Sequence, residues 1–239
     1  MALPARFTQH LSCLGVKMSD VKVPFDIADV TVYYSLSVSL DSAWDEPLYG
    51  VAEPWHVDVR VDVEVAEDLF ESRNAAELSV VRFNLFEADQ ARVDVWEVAD
   101  AWSADWESFV STALRDITLE DEFSGFGSDV LLVEHVWLAP EFRGFGLAPL
   151  LVAEAVRILG RDCVAAFIFP EPTEGDLDED ERIRAAEKLA ALWSQVGFEP
   201  WRNGYMALDL ASQRRVDALE ALRDRFRRYP SHPGDTASP

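Results

Sequence analysis

The sequence predicts an α+β fold, a mixed sheet with flanking helices, and two stretches carry most of that prediction. In "WHVDVRVDVEV" (55–65), Val57, Val59, Val61, Val63 and Val65 face one way and mostly charged residues the other. A period of two marks an antiparallel strand with one buried face. After Gly146 the pattern becomes helix, strand, helix, strand, as expected of a sheet that carries helices. There is no internal repeat. A single domain is expected over residues 23–229, with a loosely ordered leader at 1–22 and a disordered tail at 230–239.

Alternation over residues 27–40 suggests the first strand, and Pro47, Gly50 and Pro54 make the following stretch irregular. Residues 76–88, "AELSVVRFNLFEA", are the expected partner of the 55–65 strand. From 95 to 114 the apolar spacing turns helical through Trp96, Ala99, Trp102, Trp106, Phe109 and Leu114. "FSGFGSD" then breaks the chain before a strand over 130–138. Residues 147–159 read as a helix apolar on most sides, hence well buried, ending at Gly160. "CVAAFIF" (163–169) is a short apolar strand that Pro170 stops. Ile183, Ala186, Ala190, Trp193 and Val196 mark a further helix closed by Gly197. "FEPW" and "GYMALDL" form terminal strands, and Val216, Leu219, Leu222 and Phe226 define a last amphipathic helix.

Composition narrows the function classes. With 239 residues, 49% of them hydrophobic, the chain is long enough for a sizeable core. A formal net charge of −23 repels nucleic acid and anionic membranes, so neither is expected as a partner. Surface carboxylates chiefly maintain solubility, and they are compatible with a cationic substrate. No stretch approaches the ~18 apolar residues of a membrane span. Residues 1–20 lack a basic region followed by a long apolar run, and the two cysteines, Cys13 and Cys163, are too few for a disulfide framework or zinc cage. A cytoplasmic protein with reduced thiols is the expectation, and a homodimer is left open.

"EHVWLAPEFRGFGLAPLL" (134–151) joins a strand end, one arginine, two glycines and a helix start. Such a junction gathers free backbone N–H groups at the positive end of a helix dipole, a ready anion site that glycine opens to a phosphate. It is not a nucleotide P-loop, because Leu147 and Ala148 stand where Lys and Ser/Thr are required. Nor is it a dinucleotide fingerprint, because Pro149 occupies the third small position. Instead, Arg143-Gly144-Phe145-Gly146-Leu147-Ala148 resembles the Arg/Gln-x-x-Gly-x-Gly/Ala signature of the GNAT family of N-acetyltransferases. Glu134-x-Val136-x-Leu138-x-Pro140 is similar to that family's fourth strand, and "LWSQVGF" (192–198) to its aromatic residue four before Gly-Phe. The resemblance covers residues 130–210.

The resemblance implies a GNAT-like acyl-CoA N-acyltransferase fold, here with an extended N-terminal region and a C-terminal helix. It implies that acetyl-CoA or another acyl-CoA binds in a cleft between two splayed parallel strands, 130–138 and 163–169. The N–H groups of Arg143, Gly144, Phe145, Gly146, Leu147 and Ala148 would hold the pyrophosphate, and the backbone of Val136 and Leu138 the pantetheine arm. Strand alternation places Leu138 and Glu134 on one face, roughly 13 Å apart, so a thioester presented at the far end would lie near Glu134.

Glu134 is the candidate general base for an acceptor amine, small-molecule or peptide; a structural or substrate-binding role is the competing reading. His135 is expected on the opposite face, as a packed or hydrogen-bonded core histidine, with catalysis through it the lesser reading. Trp193 stands where the family usually carries a tyrosine acid, and an indole cannot protonate a thiolate, so packing is its expected job. Neither Ser194 nor Tyr205 matches that position, and no cysteine suggests an acyl-enzyme. Asp176, Asp178, Asp180 and Glu187 fall at calcium-loop spacing, but Glu181 replaces the obligatory glycine, so no metal is expected; the run reads as a helix start, with a lip attracting a cationic amine as the alternative. Trp55, Trp96, Trp102 and Trp106 are candidates for an acceptor pocket, with core packing the plainer reading. The rival to an enzyme is a GNAT-like coenzyme A-binding or regulatory protein without turnover.

Overall fold

Alternating valines build the first part of the sheet. In the computed structural model, which describes residues 27–36, 50–66, 69–115, 118–125, 127–172 and 175–227, β1 (Val30–Leu36) pairs antiparallel with β2 (Ala52–Ala66). β2 pairs in turn with β3 (Leu69–Phe83). Val57, Val59 and Val61 are fully buried, as the period of two requires, whereas Val65 at the distal end is exposed. β3 runs antiparallel to β4 (Asp129–Leu138), and β4 parallel to β5 (Cys163–Ile168). β7 (Met206–Asp209) lies between β5 and the short β6 (Glu199–Pro200), giving the order β1-β2-β3-β4-β5-β7-β6. The chain thus has the mixed α+β architecture expected of it. The expected leader and tail, Cys13 and residues 37–40 of the first strand lie outside the described residues.

Alternate residues of the central strands feed two cores. Leu78 and Val80 of β3 and Leu131 and Val133 of β4 belong to the first, Val81, Phe83, Val130 and Leu132 to the second. α1 (Leu85–Ala91), α2 (Val95–Trp102), α3 (Ala104–Phe109) with its π-helical continuation Val110–Leu114, and α4 (Leu119–Glu122) follow β3, and the second core includes Val98, Ala99, Trp106, Phe109 and Val110. α5 (Leu147–Leu159), α6 (Glu179–Trp193) and α7 (Gln213–Arg227) contribute Leu147, Val152, Val156, Trp193, Leu219, Leu222 and Phe226 to the first. Among the described residues no helix is long and apolar enough to cross a membrane.

Local capping explains where elements depart from expectation. The strand expected over 76–88 begins earlier and stops at Phe83, because the Asn84 side chain accepts the Glu87 N–H at 3.0 Å and starts a helix. The helix expected over 95–114 breaks at Ser103, which is extended and whose hydroxyl accepts the Trp106 N–H at 3.1 Å. Val216 is exposed rather than part of the core stripe of α7. α5 keeps its expected limits.

Candidate functional site

Pairing between β3 and β4 slips at one residue. Val80 faces Val133 and Ser79 faces His135, leaving Glu134 with no opposite residue, a β-bulge. The parallel pairing with β5 ends at the same place, with Val133 opposite Ile168. From Glu134 to Leu138 the β5-side edge of β4 is therefore open. The gap forms a cleft of about 870 Å³ lined by that open edge, the loop and helix start from Arg143 to Pro149, the segment after β5 (Phe169, Glu171, Pro172) and one side of α6.

The backbone of the open edge faces this cleft. The Ala139 N–H donates to the Ala75 carbonyl at 2.9 Å, and hydrogen-bonded and non-bonded positions alternate along an antiparallel pair. His135 and Trp137 thus direct their amides to β3, and Val136 and Leu138 direct theirs into the opening. Consistent with this, the Leu138 carbonyl accepts Arg143 Nε at 2.7 Å.

At one end of the cleft Pro140 heads a 3-10 turn (Pro140–Phe142), after which Gly144 and Gly146 adopt φ of +86° and +82°. Those left-handed angles favour glycine. Gly146 is the N-cap of α5 and brings no side chain to the cap. The first-turn N–H groups lack intrahelical acceptors, and the helix dipole adds positive potential. Arg143, Lys188 and Arg225 line the same cleft in a chain of net charge −23. This end can hold an anion. Val136, Leu138, Arg143, Gly144, Gly146, Leu147 and Ala148 all line the cleft as expected, whereas the Phe145 side chain packs against the first core.

The other end is acidic and aromatic. The bulge shifts the alternation, so Val136 and Leu138 pack with the same core as Leu131 and Val133, while Glu134 turns to the opposite side. The expectation that Glu134 and Leu138 share a face is corrected by that single residue, and with it the reason for placing His135 across the sheet. Glu134 Oε1 accepts the Trp106 Nε1–H at 2.9 Å. Burial raises the pKa of its carboxyl, the Trp106 hydrogen bond lowers it, and Asp105 and His135 act in opposite directions. Trp102 stacks on Trp106 at 5.2 Å and 18°. Trp55 packs with the first core, so it does not join these two. Trp96 is partly exposed and bonds Glu107.

Trp193 is buried and forms part of the cleft wall. Tyr205 packs on Phe169, a cleft residue, with ring centroids 4.8 Å apart. Burial raises the pKa of its hydroxyl, and the neighbouring Ser108 and Thr112 draw it back. The acidic run before α6 supplies a capping box, in which Asp178 accepts the Glu181 N–H and Glu181 accepts the Asp178 N–H. Sequence reasoning missed Arg225, Gln195 and the partnership of Trp106 with Glu134, all made by contacts distant in sequence. Compared with models of known protein families, with curated proteins and with solved structures, the chain matches none.

Proposed function

We propose that this chain is an acyl-CoA-dependent N-acyltransferase that moves an acetyl group from acetyl-CoA to an amine, with Glu134 as general base. One observation carries the reading: an open strand edge runs from a glycine-lined helix N-terminus to a half-buried carboxylate. A phosphate-bearing ligand held at the first would lay its extended arm along Val136 and Leu138 and bring its thioester to the second. Glu134 leans to the far side of the sheet, so the acceptor amine would enter from the side of Trp102 and Trp106.

Glu134 would remove the amine's proton, directly or through a water, and the nitrogen lone pair would attack the thioester carbonyl. Loss of the second nitrogen proton to water and collapse of the tetrahedral intermediate form the amide and break the C–S bond, releasing the coenzyme A thiolate. Trp193, in the cleft wall, has no proton to give a thiolate, so solvent would be the proton source. That indole favours the second reading, a coenzyme A-binding protein without turnover. Incubation with acetyl-CoA and a panel of polyamine, aminoglycoside and peptide amines, following free thiol, tests the choice. Amine-dependent thiol release is expected; bound coenzyme A with no release across the panel would leave the binding reading.

A further inference from the structure

Beyond residues 130–210, which carry the sequence resemblance, α7 brings one more charge to the cleft. Its inner side is fixed by burial of Leu219, Leu222 and Phe226 and by Arg223, whose Nε donates to Glu154 of α5 at 2.6 Å. Arg223 and Arg227 on this helix each meet a carboxylate, Glu154 and Asp224. Arg225 lies between them and meets no carboxylate among the described residues, in a chain with 44 acidic and 21 basic side chains. Its Nη1 instead donates to Gln195 Oε1 at 3.2 Å and lies 2.9 Å from where a Cβ on Gly146 would stand. A guanidinium is thus held against the N-cap of α5, beside the first-turn N–H groups and facing the cleft.

We propose that Arg225 is a phosphate ligand that completes the anion cradle over Gly146, which makes the C-terminal helix α7 part of the acyl-CoA site. The inference rests on the acyl-CoA reading. A planar guanidinium matches two phosphate oxygens at once, and of the two cradle glycines only Gly146 would bring a Cβ against it. Because the guanidinium sits on the helix N-terminus, its target is the pyrophosphate bound there and not the more distant 3′-phosphate.

Isothermal titration of the full chain with coenzyme A and with dephospho-coenzyme A separates these sites. Arg225→Ala should weaken both ligands alike, by roughly tenfold, the scale of one charge-assisted hydrogen-bonding group. Arg225→Lys should recover part of the loss, and the salt dependence of binding should flatten in Arg225→Ala. Arg227→Ala, which removes a cation of α7 that pairs with Asp224 and does not line the cleft, controls for net charge and should bind like the wild type. Equal affinities of Arg225→Ala and wild type would overturn the proposal, as would a loss confined to coenzyme A with dephospho-coenzyme A unaffected. A wild-type chain that binds neither ligand would instead remove the acyl-CoA reading on which the proposal rests.

Discussion

Burial pushes the Glu134 carboxyl up in pKa while the Trp106 indole N–H, 2.9 Å away, draws it back. The folded pKa stays above the ordinary Glu value, so the folded state favours the neutral acid. The stability this contributes is complete below the unfolded pKa and is lost as pH rises through the folded one. Glu134→Gln removes that titration. The melting temperature of the variant relative to wild type should therefore rise with pH across the window above the usual carboxylate range; a difference independent of pH would contradict the shift. In turnover, the same variant should lose about two to four orders of magnitude in kcat with little change in coenzyme A affinity. Trp106→Phe keeps an aromatic ring but deletes the N–H. Its acid limb in the pH–rate profile should move to higher pH, and an unmoved limb would show that the indole packs without tuning the base.

At the scale of elements, two devices make the cleft: the bulge at Glu134 and the left-handed glycines before α5. Gly144→Ala and Gly146→Ala each force a side chain into φ near +85°, a strain of about 1–3 kcal/mol. Only at Gly146 does the new Cβ also meet Arg225, since nothing lies within 4 Å at Gly144. Similar losses of urea stability are expected, but a greater loss of coenzyme A affinity in Gly146→Ala; equal losses of affinity would separate Arg225 from the cradle. These glycines were legible in the sequence, as was α5, whose limits fall at Gly146 and Gly160. The bulge was not. "VLLVEHVWL" feeds both cores, so no polar alternation marks the extra residue, and uninterrupted alternation puts Glu134 on the face of Leu138, which the bulge undoes. Likewise, Trp106 reads as one apolar position on a helix, and only the fold carries it 28 residues along the chain to Glu134.

Across the whole molecule, charge is distributed against its own average. An acidic chain keeps Arg143 and Arg225 at the Gly146 end of a cleft and Glu134 at the other. The sheet that holds this gap open is tied at the start of β4 by Arg82, whose Nε donates to the buried Asp129 at 3.0 Å, beside Cys163, whose thiol burial pushes up to about 12. Asp129→Asn should cost about 3 kcal/mol in urea denaturation, because it strands a partly buried guanidinium; a neutral substitution would mean the pair is solvated. The central claim is that the cleft binds acyl-CoA through the folded cradle, and ligand-induced stabilisation tests it most directly. Heating the wild-type chain with and without acetyl-CoA should raise the melting temperature in a concentration-dependent way. No shift at millimolar acetyl-CoA would contradict the account.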